Sequence, residues 1–238
     1  MSKADKRADP NRAADWVYHF VYWLVGWIAK LTWRFQVTGR EHFPVGTPYL
    51  VVMNHLSVFD APAVFLAMSE RAVMFGADKW RRVPGIRHLL EAMGVIWVAR
   101  GEADMDAMKA SLTVLKNGGR LGVAPEGTRS PTGALIRGKP GAAFLADRAR
   151  VPLVPVALWG TEDIIPCWKR LRRPRVTCVI GPAFTLPGTG RAKGPELDAL
   201  TDLIMLTLAA MLPSKYRGVY KDHPRLSLPD PVPSVISS

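Results

Sequence analysis

Between residues 35 and 212 the chain alternates short apolar runs with stretches of helical period, and this alternation limits its fold more than any other feature. The runs are Phe35–Thr38, Tyr49–Met53, Ala72–Phe75, Val95–Val98, Leu121–Ala124, Leu153–Leu158 and Val176–Ile180. Their length and near-continuous apolar content suit buried strands. Ala61–Ser69, Asp104–Lys116, Gly141–Arg148 and Glu196–Leu212 instead carry apolar residues at helical spacing. Strands alternating with helices predict an α/β fold: a mixed, largely parallel central sheet of about seven strands, covered by helices on both faces. A chain of 238 residues, 48% hydrophobic, has material for one sizeable domain of this kind.

The flanks differ from the middle. Met1–Asp15 is polar and mixed in charge, which predicts a mobile start. Trp16–Leu31 then packs Trp16, Trp23 and Trp27 among Tyr18, Phe20 and Tyr22. It is short of the roughly 20 mainly apolar residues that a membrane span needs. Trp and Tyr favour the membrane–water interface, so an interfacial helix is expected here, with a helix packed on the domain's own core as the alternative. No small-residue cleavage site follows, so a signal peptide is not expected. After Pro213 the chain carries Pro224, Pro229, Pro231 and Pro233, which predicts an extended tail without a core. The expected partition is 1–34 as start and aromatic helix, 35–212 as the domain and 213–238 as tail.

Thirty-two Lys and Arg stand against 20 Asp and Glu, a formal net charge of +12. Such an excess calls for an anionic partner. Five of the seven residues Lys169–Arg175 are basic. Beside an aromatic helix, that run suits an anionic membrane surface, an acidic carrier protein or the phosphates of coenzyme A. Nucleic acid is the rival partner, but no recognised binding module is present, and the aromatics do not interleave with the basic residues. Cys167 and Cys178 lack metal-ligand spacing and make no disulfide framework, which suits a reducing, cytoplasmic setting.

Polar clusters follow the apolar runs, where open α/β sheets bind their ligands. Tyr49–Met53 is followed by Asn54-His55-Leu56-Ser57-Val58-Phe59-Asp60. A carboxylate that holds one ring nitrogen of a histidine leaves the other free as a general base. In one continuous helix, residues five apart point about 140° away from each other, so the pair is expected to straddle a strand–loop–helix junction. Asn54, Ser57 and Pro62 suit such a junction. Taken alone, the same stretch also reads as a helix start with His55 merely packed. Ser57 lacks the Gly-x-Ser-x-Gly setting of a nucleophile. No third ligand accompanies His55 and Asp60 at metal-binding spacing, so no metal is expected.

Four blocks in order resemble the glycerolipid acyltransferases. His55 and Asp60 stand in their His-x4-Asp motif. Gly94–Arg100 is similar to their Gly-x-x-Phe-x-x-Arg motif, with Trp97 in place of Phe. Pro125-Glu126-Gly127-Thr128-Arg129-Ser130 matches their third motif, with Ala124 where the family often has Phe. Val151–Val156 resembles the proline-containing fourth. The nearest resemblance is to the 1-acylglycerol-3-phosphate acyltransferases.

This resemblance implies O-acyl transfer from acyl-CoA or acyl carrier protein to the free hydroxyl of a lysophospholipid. His55 would be the general base and Asp60 its orienter, without a cofactor. It further implies that Arg129 pairs with the acceptor phosphate through its planar fork, while Gly127 lets backbone donors approach. Thr128 shares that loop. Glu126 would hold glycerol hydroxyls or fix a basic neighbour, and Arg100 and Lys79 would bind substrate. The expected location is the cytoplasmic face of the cell membrane, peripheral or monotopic, with no nucleic acid bound. A non-catalytic lipid-binding protein is the alternative of another class.

Overall fold

A computed structural model describes residues 15–68, 70–92, 94–98 and 104–226. Its strands are β1 (Arg34–Thr38), β2 (Tyr49–Met53), β3 (Val73–Ala77), β4 (Ile96–Val98), β5 (Arg120–Val123), β6 (Leu153–Trp159) and β7 (Arg175–Ile180). Its helices are α1 (Asp15–Thr32), α2 (Asp60–Ala67), α3 (Pro84–Ala92), α4 (Met105–Lys116), α5 (Gly141–Ala149), α6 (Ile164–Trp168) and α7 (Pro195–Met211).

The seven strands form one sheet in the order β1-β7-β6-β2-β5-β3-β4. From β6 to β4 every neighbouring pair is parallel, and β7 turns antiparallel to β6. The sheet is therefore mixed and largely parallel, as the alternation of elements predicts.

The pleat divides the core. Tyr49, Val51 and Met53 of β2 face α1 and α2, whereas Leu50 and Val52 face α4, α5 and α7. All five are buried, as a central parallel strand requires. The edge pair behaves differently. Phe35 and Val37 of β1 pack towards α1, while Arg34, Gln36 and Thr38 are exposed, so the expected two-sided cover does not extend to β1.

Helix α1 has two faces. Val21 and Ala29 are buried, and Tyr18 and Tyr22 pack on Phe65 of α2 with ring centroids 5.3 and 5.4 Å apart. The opposite face presents Trp16 (72% exposed), Phe20, Trp23, Trp27 and Leu31 to solvent. Core packing and an open aromatic stripe thus coexist in one helix. Among the described residues no helix is long and apolar enough to cross a membrane. The basic run meets this helix at its end, where the Arg173 guanidinium donates to the carbonyls of Lys30 and Trp33. A cation there offsets the negative end of the helix dipole. Leu171, amid the basic run, is 98% exposed.

Three features depart from expectation. Helix α3, nine residues long, and α6, five residues long, have no counterpart among the expected helices. The tail does not extend from residue 213: three short helical turns carry it through residue 226, burying Tyr216, Tyr220 and Leu226 in the α4–α5–α7 core. Counting prolines hides these three anchors. The expected boundary at 34/35 also falls inside β1. Of the expected mobile start, Met1–Asp15, residues 1–14 lie outside the described residues and Asp15 opens α1; the final prolines (229–233) also lie outside them.

Candidate active site

His55 leaves the carboxyl end of β2, and Asp60 opens α2 five residues later. The intervening turn aims backbone N–H groups at the carboxylate: Leu56 and Ser57 each donate to Asp60 Oδ2 at 2.7 Å. The Nδ1 of His55 lies 2.8 Å from the same oxygen. The pair does span a strand–loop–helix junction. Asp60 has no solvent exposure. Its other oxygen, Oδ1, accepts from the Thr161 hydroxyl at 2.5 Å. All the donors are supplied by β2's own exit loop and by the exit of its neighbour β6.

The main chain of His55 is held from β5, the other neighbour. Glu126 Oε1 accepts from the His55 N–H at 2.7 Å, and the Ser130 N–H donates to the His55 carbonyl at 2.8 Å. Glu126 Oε2 accepts from the Ile136 N–H at 3.1 Å. Both Glu126 oxygens are thus engaged with main-chain donors, and the residue is 1% exposed. This differs from the expectation that Glu126 grips acceptor hydroxyls or a basic neighbour: it clamps the histidine to the loop beyond β5. Burial pushes its carboxyl up to about 7; the Ile136 and His55 hydrogen bonds and the His55 ring pull downwards, and Asp60 pushes up.

The remaining candidates lie on the same rim or outside the described residues. Gly127 adopts φ 67, the left-handed turn that glycine tolerates, and its N–H donates to Ala124 O at 3.0 Å. Thr128 is half-buried on this loop. Arg129 is half-buried, and its Nε is buried without a hydrogen-bond partner among the described residues. A buried donor in that state calls for a partner. Lys79 follows β3, exposed, with Nζ 5.2 Å from the Trp80 ring centroid. It is two strands from β2 and does not join the His55 network. Arg100 lies outside the described residues.

Some participants had no cue in the chain. Thr161 meets Asp60 from 101 positions away. Asn54, read as a turn residue, exchanges two 2.7 Å bonds with the Leu158 main chain and so extends the β2–β6 pairing by a side chain. Lys139 lies over Gly127, where an added Cβ would stand 3.4 Å from its Nζ, so a second cation borders the Arg129 loop. Among the described residues no group of three or more His, Cys, Asp or Glu side chains is placed to hold a metal ion.

A family model described as Acyltransferase matches residues 34–159, which includes β1 through β6 and every residue of the rim except Thr161. The chain belongs to the acyltransferase family. The acyltransferase 1-acyl-sn-glycerol-3-phosphate acyltransferase alpha of Bos taurus is 32% identical over 193 residues, 78% of this chain and 66% of the bovine protein. The chain thus spans about two thirds of the length of such relatives. A 1-acyl-sn-glycerol-3-phosphate acyltransferase of Borreliella burgdorferi is 28% identical over 144 residues, 58% of this chain and 55% of that protein. The crystal structure of the 1-acyl-sn-glycerophosphate (LPA) acyltransferase of Thermotoga maritima superimposes with a TM-score of 0.60 at 25% identity, covering 80% of this chain and 75% of that one.

Thr161→Val removes the only side-chain donor to Asp60 Oδ1 among the described residues. It should cost about 1–3 kcal/mol in denaturant unfolding, and Thr161→Ser should restore most of it. A raised carboxyl pKa means that the folded chain binds more protons than the unfolded one between the ordinary value and about 7. Glu126 therefore lowers stability as pH rises through that window. The melting temperature of wild type, relative to Glu126→Gln, should fall from about pH 5 to about pH 7; a flat difference would contradict the shift.

Proposed function

We propose that this acyltransferase moves a fatty acyl group from a thioester to the sn-2 hydroxyl of 1-acylglycerol-3-phosphate, giving phosphatidic acid. The observation that carries the reading is the 2.8 Å contact between His55 Nδ1 and Asp60 Oδ2 beside the Glu126–Ser130 loop. With Asp60 accepting from Nδ1–H, the Nε2 of His55 is free to take a proton. His55 accepts the proton of the acceptor hydroxyl as its oxygen attacks the thioester carbonyl. The tetrahedral intermediate collapses, the C–S bond breaks, and the imidazolium returns the proton to the departing thiolate. Asp60 stabilises the imidazolium between these steps, as in other carboxylate–histidine pairs. No acyl-enzyme forms.

Arg129 binds the acceptor phosphate, and its unpartnered Nε supports that role. Gly127 and Thr128 shape the same loop, Glu126 positions His55, and Arg100 and Lys79 serve as further substrate contacts. The donor is acyl-CoA or acyl carrier protein. The stripe Trp16–Leu31 and the exposed Leu171 between Arg170 and Arg172 support peripheral docking on the cytoplasmic face of the membrane.

Purified protein, a panel of lysolipids and both thioester donors test the reading. Thiol release that depends on lysophosphatidic acid is expected. Release with another lysolipid alone would move the acceptor, and release with none would sink the proposal. Arg129→Ala should raise the acceptor Michaelis constant about 10-fold or more and leave the donor's nearly unchanged, as loss of a charged hydrogen bond predicts.

A further inference from the structure

Helix α1 and edge strand β1 flank an open cavity of about 470 Å³, within the range of roughly 300–1,000 Å³ typical of ligand sites. Strand β1 lies three positions from β2 in the sheet, so this cavity is separate from the rim that bears His55. Tyr22, Ala29, Phe35 and Leu66 give it an apolar wall. Lys30, Arg34, Arg40 and Arg173 give it a cationic border, and none of the four pairs with a carboxylate among the described residues. Arg40 donates to the Leu66 carbonyl and Arg173 to the end of α1, while Lys30 and Arg34 are exposed; an apolar wall edged by four cations without a carboxylate partner suits an anionic amphiphile.

Two local features mark it as more than a gap between elements. Trp33 lines the cavity and is 4% exposed, yet its Nε1–H has no acceptor among the described residues. A buried donor left so is costly and calls for a partner. Gly26 also lines the cavity, in mid-helix, where alanine is the better helix former. Packing does not demand glycine there, because an added Cβ would meet only Leu66 Cδ2, at an ordinary 3.5 Å. The missing side chain is cavity space.

The cavity's orientation selects the occupant. At 100° per residue, Tyr22, Gly26, Ala29 and Lys30 share a sector of about 100° on α1, and Trp16, Trp23 and Trp27 fall in the adjoining sector. A stripe resting on a bilayer would open the cavity at the interface. We propose that it holds one anionic phospholipid of the bilayer, with the phosphate at the cationic border and one acyl chain along the α1–α2 wall. A free phosphate would leave that wall empty. This inference rests on the membrane-facing α1 of the proposed function, but not on the acyl transfer.

Native mass spectrometry of the full chain, released from micelles doped with phosphatidylglycerol or phosphatidylcholine, tests it. One retained phosphatidylglycerol and little phosphatidylcholine are expected. Lys30→Gln with Arg34→Gln should weaken retention about tenfold or more, at about 1 kcal/mol per cation. Both side chains are exposed and make no hydrogen bond among the described residues, so the fold should be unaffected. Gly26→Leu should also weaken retention by filling the space, while Arg129→Ala should leave it intact. Equal retention of the two lipids would overturn the proposal. So would retention that survives Lys30→Gln/Arg34→Gln and Gly26→Leu, or that disappears with Arg129→Ala. The readout is bound lipid rather than turnover, so it stands apart from any failure of the acyl-transfer reading.

Discussion

The buried carboxylate of Asp60 is the interaction on which the rim depends. Its oxygens receive two backbone N–H groups, the His55 ring and the Thr161 hydroxyl. A carboxylate without solvent contact is costly unless donors surround it. The sheet order supplies them. With β6 on one side of β2 and β5 on the other, the exits of all three strands converge. The β6 exit gives Thr161, the β5 exit gives Glu126 and Ser130, and Asn54 closes the seam between β2 and β6. The histidine is fixed through its main chain and through one ring nitrogen.

The aromatic helix joins this arrangement from behind. Trp33, just beyond α1, packs edge-on against Phe59, the neighbour of Asp60, with centroids 6.0 Å apart. Phe59 in turn meets Trp168 at 5.4 Å, and Arg173 caps the helix end. A continuous apolar contact therefore runs from the helix with the exposed stripe to the loop that presents His55. The 214–226 segment braces the other side. The Leu135 N–H donates to Tyr216 O and the Val219 N–H to Leu135 O, which pins the loop beyond Glu126.

Much of the fold was legible because parallel central strands must be apolar on both faces. Tyr49–Met53 matches β2 at both ends, and the other six expected strands each overlap an observed one. The His55–Asp60 junction was legible because cap and turn residues separate the two. Legibility failed where partners are distant in sequence. Nothing near Thr161 or Asn54 announces a bond that spans about a hundred residues. The main-chain bonds of Glu126 escape the sequence for a related reason: a glutamate in a polar loop suggests a ligand contact, and only the fold shows two main-chain amides against its oxygens. The anchoring of the tail is hidden because Tyr216, Tyr220 and Leu226 stand singly, without a period, and find their core only in the fold.

The central claim is that His55, oriented by Asp60, removes the acceptor's proton. Single-turnover acyl transfer by His55→Ala, beside a check that its unfolding transition matches wild type, tests this most directly. A folded variant slowed by about 10²–10⁴-fold or more, with acceptor binding retained, is the predicted result. A folded His55→Ala protein that transfers acyl groups at a near-normal rate would contradict it.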